Sequence, residues 1–436
     1  MSIKAISDAT ALVIDSGIFL PVARKLGESF GRVLYWSPDH PASPHFRDVV
    51  IGMGFPEIER ETHPLDVKGQ IDCCIFPDVD FRPYQQDMLA AGIPTWGGGR
   101  SEQLETNRGL FLKELEACGL PVPTHEIVPG DKLRDYLEDK EDLWVKVDRW
   151  RGDWETFHWR NWAMDHVELE VRLMRFGPMV KLIPFYVFEP IETDLEDGAD
   201  THFVGGKWPT IVNHGMEKKN LAYLMTFCAF KDLPDPVREV HEKFGPVLER
   251  YGHRGPVSSE ARIVMDGDKA IPYFIDLTSR NGSPPHQLQT EMIENYAEVA
   301  YRGAQGECID PVPSYQFGVQ ALVTAHGPSD EWSTVVIPKE LDQWLKCGFC
   351  CFEDDALHFP PLPDQHGDDI GWLLGVGDTI EEALDNAREH QAMLPDGLEC
   401  DFSALADLLK EAHEAEDEGL PFTDDDIPDP ASVLGG

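Results

Sequence analysis

The stretch Val257–Asn281 reads VSSEARIVMDGDKAIPYFIDLTSRN, and it decides how the rest of the chain is read. Val257–Met265 alternates in polarity and is rich in β-branched residues, and Ala270–Leu277 is an apolar run interrupted by one acid, Asp276. Both are strand signals. Asp266-Gly267-Asp268 between them predicts a tight turn. Glu260 and Asp276 have the same parity, so a hairpin closing at that turn puts them on one face as diagonal neighbours. Two carboxylates that close repel unless a cation lies between them, and hard oxygen ligands of this kind suit Mg²⁺. Thr278, Arg280 and Asn281 follow at once with hydroxyl, guanidinium and amide groups. Such a set suits a phosphate chain. The plainer alternative is a structural hairpin with a solvated acidic edge.

A chain of 436 residues is too long for one ordinary core and suits two or three domains. It contains no run of about 18 uncharged apolar residues, so no membrane span is expected. The opening MSIKAISDATALVIDSG lacks the apolar segment of a signal peptide and leads straight into a strand. Nine scattered cysteines favour reduced thiols and a cytoplasmic setting. The net charge of −42 makes nucleic acid and anionic membranes poor partners. A polyanion could bind only where bases are concentrated locally and a metal helps. From Glu353 onward there are 24 acids and 2 bases, a net of −22, which reads as a solvated skin.

Upstream, Ala11–Ile14, Arg32–Tyr35, Asp48–Gly52, Ile71–Phe76 and Pro94–Trp96 read as strands, with helices at Phe19–Ser29 and Pro83–Ala91. This alternation predicts a parallel sheet covered by helices on both faces. A helix over Thr106–Gly119 is followed by a strand at Thr124–Val128, a helix at Asp131–Leu137 and a strand at Leu143–Val147 with Lys146 inside it. A lysine there either snorkels to water or meets an anion. The polar, aromatic loop after it has four bases and three acids between Trp144 and Trp162, and could fold over phosphates as a lid. Further on come apolar pieces at Met179–Pro190, an acidic turn at Asp194–Asp200, a hairpin of Thr201–Val204 with Thr210–Asn213, and a loop carrying Lys218 and Lys219. Asp235–Tyr251 has an apolar stripe at helical spacing, and Leu288–Tyr301 reads as a helix. A third section holds strands at Phe317–Thr324, Ser333–Ile337, Leu341–Leu345, Cys350–Phe352 and Ile370–Val376. Capped helices follow at Ile380–Gln391 and Phe402–Glu414. Cys347, Cys350, Cys351, His358 and His366 include zinc-ligand types but lack a second CxxC pair.

The order and spacing of these pieces over roughly residues 8–300 resemble the ATP-grasp superfamily, nearest to the branch of glycinamide ribonucleotide synthetase (phosphoribosylamine–glycine ligase) and biotin carboxylase. GVGDTIEEALDNA at the start of the Ile380 helix is similar to a helix start in that branch's C-terminal domain. The resemblance implies an α/β (α+β) ATP-grasp fold: an N-terminal parallel α/β, Rossmann-like domain over 1–121, a two-lobed ATP-grasp domain over 122–310, a small C-terminal α+β domain over 311–420, and an acidic flexible tail at 421–436. It also implies ATP and Mg²⁺ as cofactors. Arg108 stands where the family has a basic residue before its helix-ending glycine, here Gly119. Lys146 matches the strand lysine that reaches the α- and β-phosphates, and Arg151 lies in the phosphate loop, which has one glycine here. Glu189 and Ile191 match the hinge that holds adenine. Glu196 and Asp200 both qualify for the ribose, with Asp200 preferred because Gly198 precedes it. Glu260, Asp276 and Thr278 occupy the metal-ligand positions, and Arg280 the arginine position. Thr278 replaces the usual asparagine, a gap that Asn281 could fill.

The activity implied is an ATP-dependent carboxylate–amine ligase working through an acyl phosphate, with Lys146 and Arg280 catalytic, on small-molecule carboxylate and amine substrates. The alternatives are a degenerate nucleotide-binding scaffold without ligase activity, motivated by the single-glycine loop and Thr278, and a phosphoribosylamine–glycine ligase. A homo-oligomer is compatible with the sequence.

Overall fold

The computed structural model describes residues 3–38, 50–148, 156–193, 195–267, 269–325, 332–360 and 369–433. The chain begins with a five-stranded sheet in which Thr10–Ile14 lies at the centre. Arg32–Trp36 and then Glu59–Arg60 flank it on one side, Cys73–Ile75 and then Thr95–Trp96 on the other. Every pairing in this sheet is parallel. The apolar runs ALVI and CCI are buried throughout, as strands covered on both faces must be. A strand was expected at 48–52, of which Asp48 and Val49 lie outside the described residues. Val50 is instead helical and residues 51–54 form a turn, with Gly52 at φ 80° and Gly54 at φ 82°, a region glycine enters without steric cost.

The helix Arg108–Cys118 ends at Gly119, whose φ of 78° lets the backbone turn out. A four-stranded antiparallel sheet follows, ordered His125–Pro129, Pro184–Phe188, Leu143–Val147, Thr156–Trp159. Helices Gly130–Leu137 and Trp162–Phe176 accompany it. The apolar piece Met179–Ile183 is mostly a 3₁₀ turn and not a strand.

The third body is a nine-stranded sheet. Its path runs Lys269–Thr278, Arg254–Asp266, Glu196–Val204, Ile211–Lys218, Ala222–Ala229, Phe317–Ala325, Asp369–Gly377, Leu345–Cys347, with Leu398–Cys400 branching from Phe317–Ala325. The acidic stretch expected as a turn is therefore largely a strand, Glu196–Val204, paired along its length with 254–262. Gly198 permits this: a Cβ there would stand 2.0 Å from the Ser259 carbonyl oxygen. Lys218 ends a strand instead of lying in a loop, and Ala222–Ala229 is a further strand. The helix expected at Leu288–Tyr301 is two, His286–Met292 and Tyr296–Ala304. The break sits where Ile293 bridges Pro313 and the Ser314 amide donates to the Met292 carbonyl at 2.7 Å.

Because Phe317–Ala325 pairs with Ala222–Ala229, the sheet runs on across residue 310 without interruption. The Ile380–Gln391 helix starts as the sequence requires, with Thr379 accepting from the Glu382 amide and Glu382 reaching back to the Asp378 amide at 2.8 Å. The acidic tail is not free: Phe422 and Val433 are buried in the same core as the third section. Two apolar anchors are enough to hold a short segment that its charge count alone would leave in water.

Candidate functional site

The hairpin Arg254–Asp266/Lys269–Thr278 builds the centre of the site. Asp266 pairs with Lys269. Continued without a break, that register would oppose Glu260 with Ile275 and turn Asp276 to the other face. A bulge beside Glu260 shifts it by one residue, so Asp276 lies directly opposite Glu260. The two are direct partners instead of diagonal ones, which brings their Cβ atoms to roughly 5 Å. Inserting one residue is what β-bulges do to re-aim a side chain. The carbonyl of the extra residue, Ile275, accepts from Arg108 Nη1 at 3.1 Å, and Arg108 Nη2 stands 3.8 Å from Asp276 Oδ1. Arg108 thus holds both the bulge and the acid that the bulge presents.

Glu260 and Asp276 open into a cavity of about 1460 Å³. Arg108, Lys146, Glu189, Ile191, Thr278 and Arg280 line the same cavity. Lys146 is delivered by an inner strand of the small sheet, opposite Tyr186. Glu189 and Ile191 lie on the connection from the small sheet to the large one, with the Glu189 amide bonded to the Thr124 carbonyl at 3.0 Å. Arg151 lies outside the described residues.

Two expectations fail on geometry. Asp200 does not line the cavity. It is 5 % exposed in the middle of its strand, and the Tyr223 hydroxyl donates to its Oδ2. Burial lifts its carboxyl to about 6, against the opposing bonds from Ser258 and Tyr223. Glu196, at the open end of the strand, lines the cavity instead, with Arg262 Nε 3.3 Å from its Oε2. Asn281 turns away as well, donating through Nδ2 to the Tyr296 hydroxyl at 2.8 Å.

The sequence reading missed Glu217 and Lys219, which also line the cavity. The run Glu217-Lys218-Lys219 is the local signal for them, and the Ile211–Lys218 strand, unlike a loop, fixes where it points. Burial, helped by Asp200 and Glu196 and relieved by Lys219, pushes the Glu217 carboxyl up to about 8. Glu260 is raised well above the usual carboxylate range, first by burial and then by the charges of Glu217, Asp276 and Glu196. Carboxylates crowded this way are stabilised by a divalent cation. Among the described residues, no three His, Cys, Asp or Glu side chains are grouped to hold a metal by themselves. A two-carboxylate, all-oxygen set fits Mg²⁺, which keeps water and phosphate oxygens in its remaining positions. The bases Arg108, Lys146, Lys218, Lys219 and Arg262 in the same cavity fit a phosphate chain. The cysteines proposed as a zinc alternative divide: Cys347 and Cys350 are buried in the apolar core.

No protein-family model and no curated protein matches the sequence. The fold does have solved relatives. Phosphoribosylamine–glycine ligase from Thermotoga maritima superposes with a TM-score of 0.65 at 16 % identity, over 90 % of this chain and 98 % of that one. The L-amino acid ligase from Bacillus licheniformis gives 0.56 at 17 % identity, over 90 % and 98 %. A biotin carboxylase complex from Campylobacter jejuni gives 0.59 at 12 % identity, over 90 % and 93 %. The chain has the ATP-grasp fold. The cavity lies between the small four-stranded sheet and the large sheet and is lined from both. No helix among the described residues is long and apolar enough to cross a membrane.

Proposed function

We propose that the protein is an ATP-dependent carboxylate–amine ligase. The observation that carries this reading is the bulged hairpin. It sets Glu260 directly opposite Asp276 inside the cavity that Lys146 lines from the other lobe of an ATP-grasp fold. The solved relatives named above include two ligases.

Glu260 and Asp276 would hold Mg²⁺, with Thr278 beside them at the strand end. The ion supplies charge neutralisation on phosphate oxygens. Lys146 would contact the α- and β-phosphates, Glu189 and Ile191 the adenine, and Glu196 in place of Asp200 the ribose. Arg108 keeps Asp276 in position. The substrate carboxylate attacks the γ-phosphorus of ATP, forming an acyl phosphate and releasing ADP. The amine then attacks the acyl carbon, and phosphate leaves as the amide forms and the nitrogen loses a proton. The chain needs no covalent nucleophile for this; it supplies placement and charge. ATP-to-ADP conversion with a pool of carboxylates and amines, with mass detection of the adduct, tests the reading. Turnover that Lys146→Ala abolishes supports it, and no ADP with any acid and amine pair refutes it.

A second reading, nucleotide binding without ligation, is favoured by Thr278, since a hydroxyl is a weaker Mg²⁺ ligand than an amide or carboxylate oxygen. ATP binding that is indifferent to Mg²⁺ separates it from the first.

A further inference from the structure

The helix Trp162–Phe176 packs its inner face on the back of the small sheet, where Leu169 is buried in one cluster with Val145, Phe157 and Trp159. Val145 precedes Lys146 on the same strand, so this is the face opposite the one that presents Lys146 to the cavity. The outer face of the helix is apolar as well. Met164, Val167, Val171 and Met174 are 40–69 % exposed. Their 3-4-3 spacing puts them in one stripe, roughly 15 Å long at 1.5 Å per residue. Met179 and Leu182, in the turn that follows, are exposed too. Apolar side chains exposed singly are ordinary, but a contiguous stripe of them marks an interaction face. A 3-4-3 repeat is the seam by which two helices pair.

The charges beside the stripe decide what fits against it. Glu168 and Glu170 lie toward the start of the helix, Arg172 and Arg175 toward its end, and Lys181 follows in the turn. Arg160 and Asp165, at the N-terminal end, neutralise each other in a salt bridge. Glu168 meets Arg172 on its own helix at 2.6 Å, yet its side chain stays about half exposed, and Glu170 stands 2.9 Å from Arg134. The face therefore runs from acidic to basic along one seam. A parallel copy would set acid on acid. An antiparallel copy sets the acidic half of each helix over the basic half of the other, twice. A surface complementary to its own reverse suits a two-fold interface between identical chains. An anionic lipid surface suits it less, since two glutamates flank the stripe in a chain of net charge −42.

We propose that two copies of this chain associate through their Trp162–Phe176 helices, antiparallel about a two-fold axis level with Leu169, the Met164 end of one helix against the Met174 end of the other. The stripe lies on the back of the small sheet, so both cavities stay open. The inference does not depend on the ligase reading. A single helix pair buries less than the roughly 1,600 Å² of a standard interface, so the association depends on concentration.

Sedimentation velocity of the full chain, from about 1 to about 100 µM, reads the result. The parent passes from monomer to dimer across this range. Val167→Glu and Val171→Glu, at exposed positions, each weaken the dimer by about tenfold or more, with the melting temperature of the monomer unchanged. Glu168→Lys and Arg175→Glu each weaken it too, and an equimolar mixture of these two variants restores it, because acidic and basic halves face each other again. A parent that stays monomeric throughout overturns the proposal, as does a dimer that neither valine variant weakens. A mixture of the charge variants that associates no more tightly than either alone overturns the charge pairing on which the choice of a second copy rests.

Discussion

Two acid-rich regions of this chain behave in opposite ways. At the hairpin, Glu260, Asp276 and Glu217 are few, confined in a cavity and raised or crowded by one another. From Glu353 onward the acids are many, and those of the Ser403–Asp417 helix that reach the rim of the same cavity, Asp407, Glu411 and Glu414, stay partly or largely exposed, Glu411 meeting Lys218 at 2.7 Å with both side chains more than a third exposed. The net charge of −42 follows the second region. The chemistry follows the first, because desolvation and mutual repulsion scale with confinement and not with number.

If confinement is what matters, the largest effect belongs to the hairpin. Glu260→Gln and Asp276→Asn should each lower ATP turnover at least a hundredfold, about 3 kcal/mol in the barrier, read as kcat/KM for ADP release. Turnover within threefold of the parent would erase the distinction between the two regions. The C-terminal region should respond through its anchors and not its charges. Phe422→Ala should cost about 3 kcal/mol of stability in a denaturant titration, because that ring is 3 % exposed. A loss below about 0.5 kcal/mol would mean that the segment is not docked.

Arg108→Met keeps the stem but removes the donors to the Ile275 carbonyl and the charge near Asp276. It should lower stability by about 1–2 kcal/mol and reduce turnover more than it reduces nucleotide affinity. Equal losses in both would point to a direct contact with nucleotide.

His214 joins the two regions, with Nε2 2.6 Å from Asp197 Oδ1 and Nδ1 3.0 Å from the Phe422 carbonyl. Burial depresses its pKa, but the charge and hydrogen bond of Asp197 outweigh that and leave it raised above 6.5. A raised imidazolium stabilises the fold fully below its unfolded pKa and loses that contribution as pH climbs through the folded value. The melting-temperature gap between the parent and His214→Gln should therefore be widest near pH 6 and shrink toward pH 9; a gap that widens with pH contradicts the pairing. The smallest effect should be Glu418→Gln on the exposed end of the acidic helix, within about 0.5 kcal/mol.

The sequence alone carried the periodicities. The helices Asp235–Tyr251 and Ile380–Gln391 lie where their apolar spacing and caps put them, because those signals are local. It also carried the hairpin that bears Glu260 and Asp276, since alternation and a turn mark two strands and their connection. Only the tertiary structure decided the register. The bulge at Ile275 brought Asp276 from the far face to a place directly opposite Glu260, and a one-residue slip leaves no trace in polarity. Only the tertiary structure, too, put Asp200 inside a sheet and Glu196 at its open end, for acids spaced four apart look alike until a neighbouring strand buries one of them. Ser16, Asp78 and Gln287 line one cavity although up to 271 positions separate them, and no local pattern encodes that meeting: it exists because the loops after two parallel strands and the His286–Met292 helix pack around the same space.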